Sequence, residues 1–156
     1  MDYQISSLDT NDFSYLFGLD DASLATQNVK RMTVTEKPGF PCRATLQDAE
    51  IGESILLLNY EHQPASSPYR SSHAIFVRES ASGSARFDNT IPQQLLIRNL
   101  SVRSFDAGGM MVDADTCSGE DLEAMIHRLF SDAAADYIHV HTAARGCYLA
   151  RVDRFN

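Results

Sequence analysis

Tyr137-Ile-His139-Val-His141 is the segment of this chain best equipped for chemistry. Residues two apart in an extended strand face the same way. His139 and His141 therefore project side by side, with Tyr137 on the same face. Paired imidazoles bind metal, pass protons or hold an anion. A short Arg145-Gly146 loop follows, then Cys147 and a second strand-like run to Asp153. On the first strand Ile138 and Val140 share a face; on the second, Tyr148, Ala150 and Val152 do. If those apolar sets meet one core, the opposite face collects Tyr137, His139, His141, Cys147, Leu149 and Arg151. That assignment depends on register, which a bulge would overturn.

A His-x-His pair is half of a metal site, and a zinc or redox-metal site needs at least three protein ligands. His62, His73, Glu61, Cys42 and Cys147 are the candidates for a third, with His62 and His73 foremost. None stands at a recognised ligand spacing, and no H-E-x-x-H, C-x-x-C or EF-hand loop is present. A chain of 156 residues folds without a metal. No structural metal and no cofactor is therefore expected, and the two histidines are assigned to hydrogen bonding or proton transfer.

Cys42 is the second chemical candidate. It follows Pro38, Gly39 and Pro41 and precedes Arg43. Prolines stiffen the segment, and a fixed thiol beside a guanidinium is a candidate nucleophile. The plain alternative is a buried, inert cysteine. Glu61 and His62 leave a central strand and enter a proline-rich loop that continues through Tyr69 and Arg70 to His73. Arg43, Arg70, Arg145 and Arg151 together offer a receptor for a carboxylate or phosphate. Their alternative role is ion pairing in a chain with 21 acidic residues. The composite reading places Cys42 or Arg43 in one cleft with His139 or His141.

These residues need elements to hold them. Tyr3–Ile5 reads as a first strand, and 11–17 as a helix from the spacing of Phe13, Leu16 and Phe17. Asp20 or Asp21 caps a short helix that ends near Gln27. Val29–Glu36 alternates as a strand. Ser54–Tyr60, apolar on both faces, reads as a central strand, and 62–72 as a loop. His73–Arg78 is a strand, and Ser80–Thr90 a mobile loop. Ile91–Asn99 reads as a short helix with Pro92 in its first turn. Leu100–Phe105 and Met110–Asp115 flank a hairpin turn at Asp106–Gly109. A helix opening at 118–121 carries a stripe of Leu122, Met125, Ile126, Leu129 and Phe130, with Cys117 just before it. Strands outnumber helices, so the expected fold is a single α+β domain over 1–156. Its sheet is mostly antiparallel or mixed, with a few short helices packed against it.

Composition narrows the function. The net charge of −8 opposes phosphate backbones, so a nucleic-acid binder is not expected. Three widely spaced cysteines make no disulfide framework. The first residues lack the pattern of a signal peptide, and the apolar runs are too short to cross a bilayer. The chain reads as cytoplasmic and soluble, with no membrane partner. P-loop, G-x-G-x-x-G and G-x-S-x-G signatures are absent.

The blocks 36–43, 56–64, 67–70, 72–78, 104–107, 109–115, 137–141 and 146–148 together resemble a bacterial family catalogued only as domain of unknown function 1203. The resemblance runs from about Tyr3 to Arg154. It implies a single-domain bacterial protein and carries no assigned activity, cofactor or catalytic residue. The residues themselves favour a small-molecule site, enzymatic in character. Its catalytic candidates are His139, His141, Cys147 and Cys42; its ligand-binding candidates are Arg43, Glu61, His62, Tyr69, Arg70, His73 and Arg145. The alternatives are a non-catalytic module for an acidic ligand or protein partner, and a metal-dependent protein. Oligomeric state is not legible.

Overall fold

Alternating apolar residues build two antiparallel sheets in the computed structural model, which describes residues 1–155. The strands are β1 (Asp2–Ser6), β2 (Lys30–Thr33), β3 (Ser54–Gln63), β4 (Ser71–Arg78), β5 (Arg86–Asp88), β6 (Asn99–Phe105), β7 (Met111–Ser118), β8 (Tyr137–Thr142) and β9 (Tyr148–Phe155). The helices are α1 (Asp21–Ala25), α2 (Gln93–Leu96) and α3 (Leu122–Phe130). The larger sheet has the order β5-β1-β9-β8-β6-β7, and the smaller β2-β3-β4. The fold is α+β with short helices, as the strand-rich pattern indicated. No described helix is long and apolar enough to cross a membrane.

The apolar stripe of α3 buries Leu122, Ile126, Leu129 and Phe130 against one face of the larger sheet. There it meets Leu100 and Val102 of β6, Ile138 and Val140 of β8, and Ala150 and Val152 of β9. Residues of one parity on β6 and β8 are thus committed to this core. Residues of the other parity, including His139, His141 and Arg103, are committed to the opposite face. A second core joins Leu56, Leu58, Ile75 and Val77 of the smaller sheet to Phe13, Leu16 and Leu24.

Several elements differ from the sequence reading. The stretch 11–17 forms two 3-10 turns, Thr10–Asp12 and Ser14–Leu16, not one helix. The Asp9 cap and the positive φ of Gly18 bound a run too short to nucleate a regular α-helix. The expected mobile loop at 80–90 contains β5, whose pairing with β1 supplies its missing backbone partners. Strand β3 runs on through Gln63, so Glu61 and His62 lie in the sheet and not in the loop. Strand β7 likewise extends through Cys117 to Ser118, and a 3-10 turn at Gly119–Asp121 leads into α3.

Candidate functional site

Two β-bulges assemble the chemistry between the sheets. On β3, Tyr60 pairs with His73 but Gln63 with Ser71, so one extra residue sits on β3. Consecutive strand residues normally face opposite ways; a bulge relaxes this. His62 and Gln63 are accordingly both buried, at 9% and 2% exposure. Gln63 Nε2 donates to the Tyr137 hydroxyl at 2.9 Å, and the His62 ring meets His141 edge-on, centroids 4.9 Å apart. On β9, Val140 pairs with Ala150 but His141 with Tyr148, which leaves Leu149 as the extra residue. This reverses the siding expected for two residues. Leu149 joins Ala150 and Val152 in the α3 core, and Tyr148 turns to the histidine face. There its ring stacks on His62, with an interplanar angle of 7°, and meets His139 and His141 edge-on.

The result is a cluster of three imidazoles, His62, His139 and His141. One nitrogen of each lies within 4.8 Å of one nitrogen of the other two. His139 and His141 are 3% and 1% exposed. His141 Nδ1 lies 2.9 Å from the Gly146 carbonyl, which only accepts. Nδ1 therefore carries the proton, and Nε2 keeps a free lone pair. Gly146 adopts φ +76°, a conformation that suits glycine. His141 Nε2, His139 Nδ1 and His62 Nδ1 are buried with no hydrogen-bond partner. A buried polar atom without a partner is costly and calls for a physical explanation. Three of the five such atoms among the described residues sit on these rings.

Burial, more than any neighbour, depresses the basicity of the cluster. It holds His139 and His141 down to about 3 and His62 to about 4. The positive charge of Arg103 pushes all three the same way. At neutral pH the rings are uncharged, the form in which imidazole ligates metals.

Other sequence candidates lie outside this cluster. Arg43, 1% exposed, donates through Nε to the Tyr148 carbonyl at 2.7 Å and through Nη2 to Cys147 Sγ at 3.0 Å. Nη1 binds the Pro41 carbonyl. The side chain thus ties the proline-rich loop to the start of β9, behind Tyr148. Cys147 also contacts Thr142 Oγ1 at 3.1 Å. Arg43, Cys147, His73 and Arg145 line a separate cleft of about 520 Å³. His73 Nε2 meets the Arg145 carbonyl at its edge. Cys42 is fully buried in the smaller core, where its sulfur accepts from the Arg78 amide. Glu61 and Arg70 pair with each other on the surface at 3.1 Å, and the exposed Tyr69 packs edge-on to Phe105. The composite site thus divides. The histidines gather on one side of Tyr148, and the Arg43–Cys147 pair sits behind it.

Sequence reasoning passed over Arg103, which pairs with His139 across β6 and β8 and shares its face. Its signal was the parity of β6: Arg103 lies between the core residues Val102 and Ser104. The partner strand was not readable. Arg151 flanks His139 from β9, but it is held by Asp153 at 2.8 Å and lies over the Tyr137 ring.

Together these features define an α+β protein of two antiparallel sheets with a buried cluster of neutral histidines between them. The chain belongs to the family described as protein of unknown function (DUF1203), whose model matches residues 39–154. The matched span includes all three histidines, Arg43, Arg103 and Cys147. No curated protein and no solved structure matches the chain.

Proposed function

We propose that the protein is a metal-dependent enzyme of small-molecule chemistry. It holds one divalent transition-metal ion, of the zinc class, on His62, His139 and His141. The carrying observation is the set of three buried imidazoles with unpartnered nitrogens and ligating atoms within 4.8 Å. Tetrahedral zinc–imidazole geometry sets nitrogens about 3.3 Å apart, so the ligating atoms would draw together by up to about 1.5 Å on binding. Three neutral protein ligands leave one position open, the arrangement of catalytic rather than structural zinc. A metal held there would lower the pKa of bound water toward neutrality. The sequence reading of no metal rests on the absence of a recognised ligand spacing and on folding stability; neither bears on a catalytic ion whose ligands are brought together by packing. The Gly146 carbonyl behind His141 acts as the outer partner that orients a ligating histidine.

Metal analysis of untagged protein tests the reading. After chelation and reloading with zinc or cobalt(II), about one equivalent is expected. The cobalt form should show the visible absorption of a tetrahedral site. His62→Ala and His139→Ala should each abolish tight binding. Uptake well below one equivalent by the folded wild type would remove the proposal.

A second reading is favoured by the separate cleft, whose lining includes Arg43, Arg145, His73 and Cys147. That arrangement suits a non-catalytic site for an acidic ligand. Citrate or phosphate binding that is lost in Arg145→Ala and kept in His139→Ala would support it.

A further inference from the structure

The half-buried arginines of this chain follow a pattern with one break. Arg31, Arg78, Arg98 and Arg151 each hold a carboxylate, at 2.7, 2.8, 2.6 and 2.8 Å. Arg103 is also half-buried, yet it has no carboxylate partner among the described residues. Its one hydrogen bond runs from Nε to Ser101 Oγ at 3.2 Å. Neither Nη group has a partner among the described residues.

Acidic residues are plentiful here, 21 against 13 basic ones, so the lack needs a cause. Strand register supplies it. Across β7, Arg103 pairs with Ala114, while Asp113 and Asp115 pair with Ser104 and Val102. Those carboxylates therefore face the other side of the sheet, where they bind Arg128 of α3. On its own side Arg103 faces His139, its cross-strand partner, and Ser101 faces His141. That face also carries Tyr137, Phe105 and the ion pair of Arg151 with Asp153, and His62 and Tyr148 pack against it. The Arg103 Nη groups are not among the buried unpartnered atoms, so they reach solvent and stand open to an incoming anion. Planar guanidinium groups bind oxyanions through paired N–H donors.

The geometry points to Arg103 as the anchor for an oxyanionic substrate group, a carboxylate or phosphate, held beside the three-histidine centre. This rests on the metal reading above. With a metal held by the three histidines, one substrate oxygen would be free to ligate it while another meets the Arg103 fork. Ser101 holds Nε and leaves both Nη groups for the anion. The centre then favours small anions, because a dication and a guanidinium stand together while Asp153, the acidic group on their face, is held by Arg151.

The test uses cobalt(II)-loaded protein titrated separately with acetate and with inorganic phosphate, followed by the visible spectrum and by calorimetry. Wild type, Arg103→Lys and Arg103→Met are compared, with metal content and circular dichroism measured on each. The wild type should bind at least one of the two anions. Arg103→Met should keep a full metal complement and fold but bind that anion about ten- to a hundredfold more weakly. Arg103→Lys should fall between them. The anion that responds identifies the substrate group. A metal-loaded wild type that binds neither anion would overturn the anchor role, as would equal affinity in wild type and Arg103→Met. Failure of the wild type to take up metal overturns the metal reading and this inference together, and the metal analysis detects that first.

Discussion

Replacing His139 by Leu should change how the metal-free protein responds to acid. His139 is 3% exposed, and burial lowers its basicity from 6.5 to about 3. Between those limits the unfolded chain binds a proton at this residue and the folded chain does not. Stability is therefore complete above pH 6.5 and is lost as pH falls through the window between 6.5 and 3. At pH 5 the unfolded imidazole is protonated by a ratio of about 30 to 1, which corresponds to about 2 kcal/mol. The folded value drops out of this figure so long as it lies well below 5. Urea unfolding in chelator at pH 8 and pH 5 measures the effect. The difference in unfolding free energy between the two pH values should be smaller in His139→Leu by about 2 kcal/mol. Each protein is compared with itself, so any packing cost of the leucine cancels. A difference within about 0.5 kcal/mol of wild type would show that His139 titrates in the folded state, and the burial argument would fail.

Further outcomes follow from the surrounding framework. Arg43→Met strands the Tyr148 and Pro41 carbonyls and frees Cys147; thermal or urea unfolding should show a loss of about 3 kcal/mol. Gly146→Val puts a β-branched side chain at φ +76°; it should cost more than about 1 kcal/mol and weaken zinc binding by disturbing the His141 partner. Cys42 is fully buried and Cys117 only partly so. A maleimide should therefore modify Cys117 in the native protein and reach Cys42 only on unfolding, as peptide mass mapping will reveal. Phosphate-backbone affinity should be negligible at physiological salt, given the charge of −8; a filter-binding measurement with duplex DNA checks this.

Local geometry alone determined part of the site. The period of two on β8 places His139 and His141 on one face whatever surrounds them, with Ile138 and Val140 opposite. The stripe of α3 likewise declares its buried face, since helical spacing is a property of the chain. The strand-rich α+β class was legible for the same reason. Register was not, because pairing is set by contacts between distant segments. The bulge at Leu149 sends Tyr148 to the histidines and Leu149 to the core, contrary to simple alternation. The bulge on β3 keeps His62 in the strand and presses it against β8 from the other sheet. Only the β6–β8 pairing puts Arg103 opposite His139, and only the β6–β7 pairing turns Asp113 and Asp115 away from it. Residue types and short-range parity were written in the chain. The third imidazole, the unpaired guanidinium and the separation of Arg43 and Cys147 from the histidines arose from packing, which no local pattern encodes.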